Sequence, residues 1–470
     1  MHLIKQILLL TLCYLFCISC NQSSGDSCGS AWLGGEIVNP KKDYVIIFRS
    51  RQIIDTVALD EKNFFKYQLD QVEPGIYFFS HNEYQAVHIE PGDSIMLRVN
   101  TIDFDESLSF TGKGAAKNNF MMDLFLLNEK ENELMPRMNL LKPEEFQRKI
   151  DSLRENRSEL YNEFVSKKGP SKDFKYIANA CIDYDLYIKK ELYISANARK
   201  KVYNESVEVP ASFYSHRKNI DMGDEALRSY YPYYRFLSYY LDNLAYDQYR
   251  DSAPYNRKSF IHNYRKALLI DSLVTNDSLK NSLLRTNANR YFLNAKNKAN
   301  EEKMLALFNQ LSSNTEDKRA VSELAKATIQ LTPGHTIPNL MLLTTDNTVK
   351  DLHSTFNRHT VIYFWSNKSI KHYRKIHTRA SELKSKYPEY DFIGINIDTH
   401  FKKWLKIVKN SGYNELVEYQ FENFEDAEMK LIIDSVNKAM IVDGEGKILN
   451  GNTNIFEISI ESELLGYLNK

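Results

Sequence analysis

V-I-Y-F-W-S-N-K-S-I-K-H-Y-R, residues 361–374, is the stretch on which the fold turns. The apolar run from Val361 to Trp365 reads as a strand buried on both faces, because nothing polar interrupts it. Ser366 or Asn367 then serves as N-cap of a helix carried on through Leu383. The start of such a helix offers unpaired N–H groups and the positive end of the backbone dipole. A thiol placed there has its pKa pulled from about 8.5 toward 7 or below. The chain instead places Ser369 and His372 at these positions, and no cysteine follows Cys181.

Working outward, the same alternation of strand and helix continues on both sides. Met341 to Leu343 precede a turn at Asp346-Asn347. A strand from Tyr390 to Ile397 and a helix from His400 to Lys409 follow the central pair. Met440 to Val442 and Lys447 to Leu449 form a hairpin around Asp443-Gly444-Glu445-Gly446, and Ser459 to Leu468 close the chain as a helix. Strands alternating with helices and ending in a hairpin and a helix describe an α/β sandwich.

These segments resemble the TlpA/ResA-like membrane-anchored thiol-disulfide oxidoreductases, which have a thioredoxin fold. G-H-T-I-P-N at Gly334–Asn339 is similar to the family's G-x-x-A-P-x-F opening, and Phe364-Trp365-Ser366 to its F-W-A. D-F-I-G-I-N-I-D at Asp391–Asp398 is similar to its second core strand, and I-V-D-G-E-G-K-I at Ile441–Ile448 to its last hairpin. The resemblance covers roughly the last third of the chain, the size of one ordinary domain. Carried over residue by residue, the C-x-x-C cysteines fall on Ser369 and His372, and the tryptophan before them on Lys368. The family's cis-proline falls on Asn437. Without proline a cis peptide costs an additional ~2 kcal/mol or more, so a trans bond is expected at Val436-Asn437.

The resemblance therefore implies a thioredoxin-like domain that has lost dithiol chemistry but kept the groove that receives an extended polypeptide in its redox relatives. Trp365, Lys368, Ser369, His372, Val436 and Lys438 are expected to edge that groove. The expected function is binding of a protein or peptide partner, without catalysis and without a cofactor. A working thiol-disulfide oxidoreductase is the alternative from the enzyme class, and it requires Cys28 or Cys181 to reach the groove. Ser369 and His372 share a helix face, yet hydrolysis also needs an orienting acid and an oxyanion hole, and neither is evident. An anion at the helix start, near Lys371 or Arg374, is physically easy and functionally unspecific. His353, His359, His372 and His377 lack paired ligand spacing, so they are read as solvent-facing side chains and no metal is expected.

Before this domain the texture is helical from about residue 115 to 326. Phe120 to Leu134, Pro143 to Lys167, Phe174 to Ala196, Ala226 to Asp247, Arg257 to Asn276 and Glu301 to Ala327 carry apolar residues at three- and four-residue spacings. Tyrosines gather at positions 230, 231, 233, 234, 239, 240, 246 and 249. They read either as an aromatic groove for a glycan or small ligand, or, more simply, as amphipathic side chains at the edge of a core. Residues 33–114 alternate short apolar runs with turns at Asn39-Pro40, Pro74-Gly75 and Pro91-Gly92, which argues for an all-β sandwich. I-E-P-G-D-S-I-M-L and the following S-F-T-G-K-G-A-A-K-N-N-F resemble the N-terminal β-domain of Bacteroidetes-type lipoproteins. The whole is thus a multidomain α+β chain: a β-sandwich, a helical middle, and a thioredoxin-like domain over 327–470.

Lys5 and the apolar stretch Ile7 to Ile18 form a signal peptide over residues 1–19, too short to span a bilayer comfortably. Ser19-Cys20 resembles a lipobox, although Cys17 stands where that pattern usually has leucine, so Cys20 is the expected lipidated residue. Asn21 to Ser30 are small and polar, as a tether is, and residues 20–32 are read as that tether. The absence of an acidic run behind Cys20 favours a periplasm-facing anchor in the outer membrane of the cell envelope. Cys28 and Cys181 either pair or remain inert thiols. Sixty-one basic against sixty-one acidic residues leave no electrostatic footprint for nucleic acid.

Overall fold

The computed structural model of the chain describes residues 29–50, 52–200, 208–295 and 297–469. Cys20 and Cys28 lie outside them. Among the described residues no helix is long and apolar enough to cross a membrane. The described residues form two compact units: those from 29 to 197 with 208–220 and 224–237, and 198–200 with 221–223 and those from 238 to 469.

The first unit opens with eight strands: β1 (Gly29–Val38), β2 (Tyr44–Arg49), β3 (Gln52–Ala58), β4 (Phe64–Val72), β5 (Gly75–His81), β6 (Glu83–Ile89), β7 (Ser94–Asn100) and β8 (Ser109–Lys113). They build two four-stranded sheets in the orders β4-β1-β7-β8 and β3-β2-β5-β6. Leu33, Ile37, Ile95 and Leu97 from one sheet meet Val45, Ile47, Phe79 and Val87 from the other in one apolar core. This is the expected sandwich. Strand β1 begins at Gly29, so the last residues of the supposed tether are paired backbone, with Trp32 opposite Gln68. Its glycines hide it in the sequence. They are needed because β1 lies between β4 and β7: a Cβ on Gly34 would stand 2.7 Å from the Phe65 carbonyl oxygen, and one on Gly35 2.0 Å from that of Leu97.

Helices α1 (Ala115–Asn132), α2 (Pro143–Lys168) and α3 (Lys172–Lys200) follow. Buried charge on them is paired at Arg157, which has no exposed surface and donates to Glu131 and to Asp185 at 3.1 Å. Cys181 is a buried free thiol on α3, and burial pushes its pKa up to about 12. His88 on β6 is also fully buried, and neither ring nitrogen has a hydrogen-bond partner among the described residues. Burial first, and then the Lys117 ammonium, hold its pKa down from 6.5 to about 4, against the opposing pull of Glu90. The imidazole is therefore neutral in the fold, while the unfolded chain takes up a proton near pH 6.5. The first unit should lose stability as pH falls from 6.5 toward 4, by roughly 3 kcal/mol in all. Urea unfolding across that range checks this, with His88→Leu flattening the acid limb. An unchanged slope in the variant would remove His88 as the cause.

The helical middle of the chain contributes to both units. Helix α4 (Tyr231–Asp247) is followed in the second unit by α5 (Phe260–Leu273), α6 (Asp277–Phe292), α7 (Lys298–Leu311) and α8 (Thr315–Gln330). The single helix expected from Glu301 to Ala327 is two, because the Asn314 side chain accepts from the Asp317 N–H at 2.8 Å and starts a new helix. Tyr230, Tyr233, Tyr246 and Tyr249 are buried, whereas Tyr231 is exposed. Tyr246 packs edge-on against Tyr249 and Tyr255, as core-edge tyrosines do.

The second unit ends in a seven-stranded sheet of order β10-β9-β13-β12-β11-β14-β15. Its strands are β9 (Met341–Leu343), β10 (Val349–Asp351), β11 (Thr360–Trp365), β12 (Asp391–Asn396), β13 (Glu418–Phe421), β14 (Lys438–Val442) and β15 (Ile448–Asn454). Central β11 runs parallel to β12 and antiparallel to β14. Its side chains alternate between two cores. Ile362 and Phe364 join Leu342, Phe421 and Met440 on one face. Val361, Tyr363 and Trp365 meet helices α9 (Ile370–Lys386), α10 (Phe401–Ser411) and α12 (Ser459–Leu468) on the other. Helix α11 (Phe424–Leu431) covers the first face.

Candidate functional site

The end of β11 delivers the chain to the start of α9 through Ser366, Asn367 and Lys368. Asp398, just past β12, holds this loop: one carboxylate oxygen accepts from Ser366 Oγ at 3.0 Å, the other from the Asn367 N–H at 2.6 Å. The loop residues are thus occupied, and the N-cap is Ser369 rather than Ser366 or Asn367. Its hydroxyl accepts from the His372 N–H at 3.4 Å. The hydroxyl consequently does the work of a cap where the helix start would otherwise stabilise a thiolate.

His372 Nε2 donates to Asn437 Oδ1 at 2.8 Å, across 65 residues of chain, and its ring stands edge-on to Phe456 at 6.1 Å. Among the described residues every peptide bond is trans, Val436-Asn437 included. The partner of His372 is an amide, so no carboxylate orients it, and the serine–histidine arrangement of a hydrolase is absent from this pair. Among the described residues no group of three or more His, Cys, Asp or Glu side chains could hold a metal.

Lys368 and Ser369 are exposed and Val436 is half-buried. Trp365 is not at that edge. It has no exposed surface, because it continues the Val361-Tyr363 face of β11 into the core, and its Nε1 donates to Glu418 at 3.0 Å. Lys438 is turned inward as well. Its ammonium caps α11, donating to the carbonyls of Leu431 and Ile432 at 2.8 Å each, and burial pulls its pKa down to about 8.

Beneath the site lies a cluster that the sequence reading missed. Glu418 on β13, 1% exposed, accepts from Tyr363 OH at 2.9 Å, from Trp365 Nε1 and from His377 Nε2 at 3.1 Å. His377, expected to face solvent, is buried. Its Nδ1 meets the Tyr373 carbonyl at 2.7 Å and its ring stacks on Tyr413 at 3.7 Å. The signal was available only as parity: Tyr363 and Trp365 share a face of β11, and a buried hydroxyl and indole N–H need an acceptor.

Residues 357–448 match the protein family described as thioredoxin-like. The C-terminal domain is thioredoxin-like. A thioredoxin-like protein from Bacteroides caccae shares 12% identity over 59% of this chain and 94% of its own, with a TM-score of 0.38. The thioredoxin domain of a thiol-disulfide oxidoreductase from Bacteroides vulgatus shares 14% over 29% of this chain and 96% of its own, with a TM-score of 0.24. A thiol:disulfide interchange protein from Bacteroides sp. shares 15% over 26% and 81%, with a TM-score of 0.22. Comparison with curated proteins returned no match.

Proposed function

We propose that this is a lipid-anchored protein of the cell envelope whose thioredoxin-like domain binds a protein or peptide partner without dithiol exchange. The observation that carries this reading is the pair at the start of α9: Ser369 caps the helix, His372 bonds Asn437, and neither position can form a disulfide. Exposed Lys368 and Ser369, with half-buried Val436, leave an accessible edge for an extended segment. Cys20 would supply the anchor and a periplasm-facing outer membrane the location.

The test is a photoreactive residue at position 369 in living cells. A defined adduct with one protein, in the membrane fraction and released from it by Cys20→Ala, is the expected result. No adduct would count against the groove, and fractionation unchanged by Cys20→Ala against the anchor.

Thiol-disulfide oxidoreductase is the second reading, and it is the class that the names of the matched structures favour. It needs a thiolate at the groove. Cys181, the one thiol among the described residues, is buried and belongs to the other unit.

A further inference from the structure

Behind the Asn437 turn, within the second unit, lies a cleft of about 530 Å³. This is the size of a small-molecule site, yet of its lining residues only Leu293 has an apolar side chain, so burial of apolar surface contributes little to what binds there. Its charged lining is Lys258, from the segment before α5, Asp434, before β14, Glu457, after β15, and, besides these, Lys438 and Glu463. Lys438 is held by the Leu431 and Ile432 carbonyls and Glu463 accepts from Asn450 Nδ2, which leaves Lys258, Asp434 and Glu457. Among the described residues none of these three has an ion-pair partner, whereas Asp242, deeper in this unit, is matched by Lys266 at 2.7 Å. Charges of opposite sign therefore line one space with no ion pair between them.

The floor is amide. Asn452 Nδ2 donates to the Leu293 carbonyl and Asn437 Oδ1 accepts from His372. This leaves Asn452 Oδ1 and Asn437 Nδ2 without partners among the described residues: one acceptor and one donor, the complement of a peptide group. A neutral glycan would use the amides and leave the charges idle. A lipid or an aromatic metabolite would find almost no apolar wall.

We propose that this cleft binds a short polar peptide by both charged ends, its α-ammonium against Asp434 and Glu457, its α-carboxylate against Lys258, and an intervening peptide group on Asn437 and Asn452. The proposal rests on the reading of the domain as a peptide binder and names the ligand's chemistry.

The probe is the tetrapeptide Gly-Ser-Gly-Ser, titrated calorimetrically into the mature full chain in four forms: free, N-acetylated, C-amidated and doubly blocked. The free form should bind, and each block should weaken it about tenfold or more. Lys258→Gln should make amidation silent while acetylation still weakens binding, and Asp434→Asn with Glu457→Gln should do the converse. All three side chains are exposed, so the variants should fold. Equal binding of all four forms, no binding at millimolar peptide, or tighter binding of a neutral oligosaccharide would each overturn the proposal. A partner captured from position 369 alongside any of those results would leave the groove standing and remove only the cleft. Dependence on both termini without capture would do the reverse.

Discussion

Ser369→Cys with His372→Cys is expected to create a reducible disulfide in a domain whose sequence contains no cysteine. The first substitution puts sulfur where the Ser369 hydroxyl now accepts a backbone N–H, so the new thiol gains the same donor and the positive end of α9. Its pKa should fall below about 8.5, favouring attack on a neighbouring thiol. The second removes the bond to Asn437 and supplies that neighbour one helical turn away. Thiol titration with and without reductant checks the result, and insulin reduction reads its consequence. The unmodified chain should leave insulin disulfides at background. Turnover by it that Cys181→Ser abolishes would instead establish the oxidoreductase reading. Two thiols at 369 and 372 that stay free in oxidising buffer would show that the helix start no longer has redox geometry.

Glu418→Ala should destabilise the thioredoxin-like domain by about 3–5 kcal/mol, the range for breaking a buried charged network from one side. Three donors lose their acceptor together: Tyr363 OH, Trp365 Nε1 and His377 Nε2. The carboxylate also packs against Gly394 on β12, where a Cβ would stand 2.5 Å from Oε1, so its removal opens space between the strands. Urea unfolding followed by tryptophan fluorescence reports the change, since Trp365 lies in the network and Trp404 in the same core. A loss under about 1 kcal/mol would mean that water replaces the carboxylate without strain.

The sequence announced elements whose apolar pattern was unbroken. β11 was legible because Val361 to Trp365 contain no polar residue, and α12 because its spacing and its place after the last hairpin agree. Strand β13 was invisible for the opposite reason: Glu418 and Gln420 put polar side chains on a fully buried strand, and only their partners, Trp365 and Asn396 among them, show why they are tolerated. β1 was hidden by glycines that its neighbours require. At the site, positions 369, 372 and 437 were marked by family pattern, and the fold brings His372 and Asn437 together. Asp398 and Glu418 were missed because each acts on residues distant in sequence. Trp365 was assigned to the groove by adjacency, although strand parity directs it inward.

Asp398 has one more consequence. By fastening Ser366 and Asn367 just past the end of β12, it fixes the approach to α9 in the folded chain. An incoming chain would have little left to order there, so the temperature dependence of its binding enthalpy should match the surface covered, without the extra heat-capacity change of a segment that folds on contact.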